Sequence, residues 1–404
     1  MSGHIFHQIP PVSVMPRAAT QEVSSNFPPS DSGLYPQSPP RDPRGVFLYL
    51  DLPHIACDSL KMNFIKHGKP GLARIVGKTV LVIIITVFII SCGKEDEMER
   101  ERAKKMQDFV IEISSYARAV KPGFIIIPQN GIELAFNETD MDSGIRTNYI
   151  SAIDGFGIEE LFYDGGKISA NDSDRKEKLA MLDLIKPHNK KIMVSDFVSN
   201  DSDIPNAVTE SRDRGFISFV RSKNNYDYQY IPTGTVTDAH TGNIAKLADA
   251  KNYLYLISSD EFATKQAMIN AIAATNYDIV LMDLFYENDT FTSSDLAQIR
   301  NKNGGGTRLI IAYISIGSAE TYRYYFQSGW KKGNPSWLAK NYEGYNDEFW
   351  VEYWNDQWRK IIMNNGNNDD PGDNSYIRQI INAGFDGVYL DNVEAYYYLG
   401  KKAK

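Results

Sequence analysis

The chain is poor in cysteine, in histidine, in basic charge and in long apolar runs. Two cysteines, Cys57 and Cys92, stand among 404 residues, which excludes a disulfide framework and a cysteine-based zinc site. Beyond residue 92 the histidines are His188 and His240 alone. Neither ends an apolar run, so a zinc centre has little support, while a carboxylate-only Mg²⁺ or Ca²⁺ site stays open. Basic residues number 43 against 51 acidic, giving a net charge of -8 and a pI near 5.4. That balance supplies no basic field for a phosphate backbone and argues against nucleic acid as a partner. No GxGxxG follows an apolar run, and Gly304-Gly305-Gly306 precedes one and reads as a turn. No nucleophile-elbow sequence supports a Ser/His/Asp triad. Against these absences stand 42% hydrophobic and 23% charged residues, an ordinary globular balance that excludes wholesale disorder and a polytopic membrane protein. Aromatics are abundant, with 24 Tyr and 5 Trp, as in proteins that handle sugars.

The N-terminal region has a separate character. Residues 1–61 hold 10 of the 18 prolines and no sustained apolar period, and read as disordered or as an over-extended gene start. Residues 62–92 read as a secretory signal. Lys66, Lys69, Arg74 and Lys78 precede the apolar run Val80–Ile90, which is too short to span a bilayer comfortably. Ile89-Ile90-Ser91-Cys92 resembles a bacterial lipobox, which implies lipidation at Cys92. The following Gly93-Lys94-Glu95-Asp96-Glu97 resembles the acidic surface-export signal of Gram-negative lipoproteins. The expectation is a protein lipid-anchored in the cell envelope, at the outer membrane or cell surface. Residues 93–404 then form the folded domain, with 35 basic and 46 acidic residues beyond position 92 and a net charge of -11.

Eight short apolar runs recur in that domain: Phe124–Ile127, Gly155–Glu159, Ile192–Ser195, Phe216–Val220, Tyr253–Ile257, Ile279–Met282, Leu309–Ile316 and Gly387–Leu390. Their continuous hydrophobicity suits parallel strands buried on both faces. Helical periodicity appears at Met98–Val120, Lys176–Ile185, Glu261–Ala274, Phe349–Met363 and Tyr376–Ala383, with Asp260 and Ser294 as N-cap candidates. The fold class predicted is α/β, a closed (β/α)8 TIM barrel.

A five-residue frame repeats across the strands. It runs from Asp386 to Asp391, Asp154 to Glu159, Asp278 to Asp283 and Lys191 to Asp196. In a barrel the C-terminal strand ends surround the active site and the N-terminal ends serve stability. Asp391, Glu159, Asp283 and Asp196 should therefore ring one mouth, with Asp386, Asp154 and Asp278 structural at the other rim. Gln129, Asn130, Tyr313 and Ser315 end two further strands. Clustered carboxylates suit glycoside hydrolysis, which needs one protonated acid and one ionised carboxylate. Crowding pushes their pKa values apart. Between these strands, segment 320–358 concentrates aromatics. Trp350, Trp354 and Trp358 are spaced as one helix face, and Trp330 and Trp337 could form a sugar-stacking wall.

Ala312-Tyr-Ile-Ser-Ile-Gly317, Glu320 with Tyr322-Arg323, Val351-Glu-Tyr-Trp354 with Trp358, and Gly384-Phe-Asp-Gly-Val-Tyr-Leu-Asp391 resemble glycoside hydrolase family 114. Tyr116-Ala-Arg118, Ile127-Pro-Gln-Asn-Gly131 and Gly157-Ile-Glu159 extend the resemblance. It implies an endo-α-1,4-polygalactosaminidase-like activity with no cofactor and no metal, in a monomer acting on a galactosamine-containing polysaccharide. Matched motif by motif, the family's catalytic pair falls on Asp391 as nucleophile and Glu159 as general acid/base. Asp283, Tyr313, Ser315, Glu320, Arg323, Gln129, Asn130, Asp196 and Asn392 are the expected substrate contacts. The motif order is inverted relative to the family: residues 98–220 resemble its second half and 253–399 its first, as in a circular permutation. That order requires the strand at 387–390 to lie parallel beside the strand at 124–127. A non-catalytic glycan-binding lipoprotein on the same barrel is the competing reading.

Overall fold

The computed structural model describes the backbone of residues 72–400 and the side chains of residues 95–400. Residues 1–71, including the predicted Pro-rich extension, lie outside the described residues. The backbone of 72–92 belongs to the helix Leu72–Val120, but the Cys92 side chain is not described. Among the described residues no helix is long and apolar enough to cross a membrane. Within that helix Met106, Phe109, Val110, Ile113 and Ala117 are buried, the stripe a 3.6-residue period lays on one face.

All eight predicted strands form. They are β1 (Ile125–Pro128), β2 (Gly155–Gly165), β3 (Lys191–Val198), β4 (Ile217–Ser222), β5 (Tyr253–Leu256) and β6 (Ile279–Asp283), then β9 (Leu309–Ser315) and β13 (Gly387–Asp391). Between β6 and β9 sits a small hairpin, β7 (Phe285–Tyr286) and β8 (Asp289–Thr290). Between β9 and β13 sits an antiparallel sheet of β10 (Ser318–Glu320), β11 (Leu338–Asn341) and β12 (Glu348–Val351).

The eight long-range strands pair in parallel, as two ladders in the orders β1-β13-β9-β6-β5 and β2-β3-β4. One bridge, Gln129 to Gly157, joins β1 to β2. The fold is thus a mixed α/β architecture around parallel sheet. Among the described residues no ladder joins β4 to β5, so the closed barrel expected from sequence is not completed by hydrogen bonds. Aromatic rings occupy that seam: Phe219 of β4 lies 5.9 Å from Tyr253 and 6.4 Å from Tyr255, both of β5. The adjacency demanded by the inverted motif order is present, with Ile125 opposite Gly387 and Pro128 opposite Leu390.

Near helix starts and in the aromatic segment the structure differs from the local sequence signals. Thr264, not Asp260, caps the helix Lys265–Ala273, and Thr292, not Ser294, caps Ser293–Ile299 in a reciprocal box with Asp295. The predicted helix 349–363 is a strand, β12, followed by the helix Asp356–Met363. Glu348-Phe-Trp-Val351 is aromatic and β-branched, a composition that packs well on a pleated surface. Trp350, Trp354 and Trp358 therefore do not share a helix face.

Candidate active site

The two rims formed by the strands treat the repeated acids differently. At the N-terminal rim each acid accepts a backbone N–H from a neighbouring segment and faces a cation. Asp154 accepts from Ile126 N at 2.8 Å and pairs with Arg118 at 2.8 Å. Asp386 accepts from Ile310 N at 2.8 Å and pairs with Arg300. Asp278 accepts from Lys251 N at 2.8 Å, pairs with Lys302 at 2.8 Å and lies 3.1 Å from His240 Nε2. Every acid at this rim is thus committed to holding strand starts together.

At the C-terminal rim the register sets Asp391 level with Ser315 and Glu159 level with Ser195. The inner face of β13 meets the inner face of β2 directly. A Cβ on Gly157 would sit 1.7 Å from the Tyr389 hydroxyl, so only glycine lets that ring cross the interior. Side chains alternate with period two. Asp391 stands one pleat above Tyr389, and Glu159 one pleat above Gly157. The two predicted catalytic carboxyls therefore share the layer above this contact. Gly317, ending the Tyr313–Gly317 motif, makes a second close approach: a Cβ there would lie 1.9 Å from the Asn392 carbonyl oxygen.

Tyrosines hold both carboxyls. Tyr313 donates to Asp391 Oδ2 at 2.5 Å, and Asn392 N donates to Oδ1 at 2.7 Å. Tyr228 donates to Glu159 Oε1 at 2.5 Å. Burial raises the Asp391 carboxyl to about 7; the Tyr313 hydrogen bond opposes the rise and the Glu159 charge adds to it. Adjacent Glu160 takes a left-handed φ of 52° and accepts from Arg221 at 2.9 Å. It leaves the ladder there, so Glu159 alone of the two stays in strand register.

The remaining predicted contacts fall into four groups. Asn130 accepts from Glu159 N at 3.0 Å, which fixes the strand end that carries Glu159. Buried Gln129 accepts from Tyr255, and buried Ser315 and Asn392 bond to each other at 3.0 Å, so these three brace the mouth from beneath. Asp283 and Glu320 do not face outward as a pair of bare charges. Arg323 lies between them, 2.8 Å from Asp283 and 2.6 Å from Glu320, and cancels one of the two charges. Asp196 departs furthest from expectation. It is 0% exposed, and its Oδ1 accepts from Phe162 N and Tyr163 N. It secures the bulge of β2 after Glu160 and does not reach the rim. Burial lifts it to about 7 against those two donors. Trp337 is also core, packed 5.0 Å from Trp330 and donating to Gln357, so the expected tryptophan wall does not form.

Four site residues carry no local signal in the sequence. Tyr228 and Arg221 hold Glu159 and Glu160. Glu348 accepts from Ser318, and burial with the Glu320 charge holds it well above the ordinary carboxylate range. Glu394, three residues past Asp391, is raised to about 8 by burial and Glu133, against Lys178; Asp391 and Glu159 add to the rise. Among the described residues no group of three potential ligands could hold a metal ion.

Residues 260–403 match the model of Glycoside-hydrolase family GH114. The match covers 144 of the 404 residues, so it is a likeness of this segment. It contains Asp283, Tyr313, Glu320, Arg323 and Asp391, whereas Glu159 lies outside it. The chain is 35% identical over 131 residues to an uncharacterized protein of Deinococcus radiodurans, covering 32% of this chain and 38% of that one. It is 31% identical over 159 residues to an uncharacterized protein of Methanocaldococcus jannaschii, covering 39% and 40%. It is 28% identical over 129 residues to an uncharacterized protein of Thermotoga maritima, covering 31% and 36%. The chain thus spans about two fifths of the length of these relatives.

Proposed function

We propose that the chain is a glycosidase that uses Asp391 and Glu159 to cleave an amino-sugar polysaccharide internally. The observation that supports this reading is the close approach of Tyr389 to Gly157, residues two positions before Asp391 and Glu159 on their strands. The GH114 match, which includes Asp391, supports it. In the reactive form the proton sits on Glu159, which gives it to the leaving glycosidic oxygen, and the charge on Asp391, which attacks C1 or directs the water that does, although burial by itself favours the proton on Asp391. Because burial raises Asp391 to about 7, the ionised form this step needs grows as pH rises through about 7. The residual negative charge around Arg323, Glu320 and Asp283 favours a cationic sugar such as galactosamine. Tyr322 and Tyr324, 43% and 45% exposed beside this cluster, offer rings for sugar stacking.

The same reading takes the eight parallel strands as a (β/α)8 barrel whose order is circularly permuted. In it the barrel is monomeric and held at the cell surface by lipid on Cys92. The β1–β13 pairing joins strands at opposite ends of the chain, as closure of a barrel requires whether or not its order is permuted. A panel of polysaccharides that includes partly deacetylated galactosaminan tests the activity. The wild type should shorten that polymer, and Asp391→Asn and Glu159→Gln should not. Binding without turnover in the wild type would leave a glycan-binding protein instead.

A further inference from the structure

We propose that Tyr228 is a positioning residue for Glu159, locked in place by Arg221 and Ser195. The inference rests on the reading of Glu159 as an acid of the mouth and adds a group that acts through it. Tyr228 lies in the segment after β4 and is buried, yet its φ is 55°. A bulky aromatic residue rarely adopts that left-handed backbone and persists there only when its surroundings over-determine it. Three contacts do so. The Tyr228 carbonyl accepts from Ile257 N at 3.1 Å, which ties the segment to the end of β5. The ring stacks on Tyr255 at 3.8 Å. The Arg221 guanidinium lies 4.7 Å from the ring centroid on the same strand group.

The strained backbone delivers one atom to one place. The Tyr228 hydroxyl reaches Glu159 Oε1 at 2.5 Å and Ser195 Oγ at 2.8 Å. Burial keeps the phenol protonated, with its range raised well above the ordinary value, so it serves as a donor. Arg221 also donates to the Tyr226 carbonyl at 2.7 Å and to Glu160 at 2.9 Å, and stands 4.0 Å from Glu159. One guanidinium thus pins both left-handed residues, Glu160 and Tyr228, on either side of Glu159. After Glu159 releases its proton, the Tyr228 hydroxyl and the Arg221 charge receive the carboxylate left behind. They also fix its rotamer for the return of the proton.

Steady-state kinetics and thermal unfolding of the full chain with Tyr228→Phe test the role. The expected result is a fall in kcat of about 10²-fold with KM within about twofold, because a misplaced proton donor slows chemistry and not binding. The pH–rate profile should move to higher pH, since a carboxylate that loses a donor to its charged form binds its proton more tightly. Unchanged kcat, or a loss that tracks the unfolded fraction with an unmoved profile, overturns the proposal. Ser195→Ala keeps the ring stack and serves if Tyr228→Phe does not fold; it should move the profile the same way by less, and no movement counts against the proposal. If no polysaccharide is turned over by the wild type, the functional reading fails by itself. The carboxyl ¹³C resonance of Glu159 then decides this inference: it should differ between wild type and Tyr228→Phe, and coincidence overturns it.

Discussion

The two ends of the parallel strands begin with the same chemistry and finish with different properties. At the N-terminal rim Asp154, Asp278 and Asp386 each meet a cation and a backbone donor, so their charge is cancelled and their role is to align strands. At the C-terminal rim Asp391 and Glu159 meet phenols, and among the described residues no cation lies closer to Glu159 than the 4.0 Å of Arg221. A hydroxyl can stabilise a carboxylate without cancelling it, which leaves the group able to change its proton. The lesson is that a strand-end acid becomes chemical through the partner it lacks as much as through the position it holds.

The sharpest way to break this contrast is at the C-terminal rim. Asp391→Asn and Glu159→Gln should each lower turnover of the cleaved polysaccharide by about 10³-fold or more while leaving the melting temperature near that of the wild type. Equal loss of stability would place both acids in the structural class. The opposite outcome is expected for Asp278→Asn. It leaves Lys302, fully buried, facing a neutral group, and should cost about 3–5 kcal/mol in urea unfolding, with the rate per folded molecule retained.

Asp196 offers an intermediate case, since it lies near the upper rim but acts structurally. Its folded-state value of about 7 exceeds the ordinary 3.8, so the folded protein binds this proton more tightly than the unfolded chain. Its contribution to stability is full below about pH 4 and is lost as pH rises through about 7. Melting temperatures across that window should decline less steeply in Asp196→Asn than in the wild type. Tyr313→Phe removes the hydrogen bond that opposes the rise of Asp391. The acid limb of the pH–rate profile should then move above about 7, and a downward shift would contradict the role given to Tyr313. The smallest effect belongs to Arg118→Ala. Its pair with Asp154 is about one-third exposed on each side and should contribute no more than about 1 kcal/mol to unfolding.

Much of this contrast was legible in the chain itself. The eight strands announce themselves because a parallel strand buried on both faces must be apolar throughout, as Ile279-Val-Leu-Met282 is. The five-residue frame then assigns Asp386 and Asp391 to opposite rims without any coordinates. In the aromatic segment one pattern fits two structures. Tryptophans at 350, 354 and 358 keep helical spacing, yet Trp350 sits in a strand because aromatic and β-branched neighbours pair with β10 and β11. The frame also misses the surroundings of Asp283 and Asp196: the first meets a cation, and the second does not reach the rim. Nothing local to Asp283 says that Arg323, 40 residues on, will neutralise it, and nothing local to Asp196 says that it will turn inward onto the β2 bulge.

The order of apolar and acidic residues alone determined where the eight parallel strands form, since a strand buried on both faces must be apolar throughout. The tertiary structure decided which acids stay free to exchange a proton. That choice depends on partners brought from elsewhere in the chain, as Tyr228 is brought to Glu159 across 69 residues. A carboxyl's ionisation is set by the charges and donors within a few ångströms, and distance in space is what a linear sequence does not record.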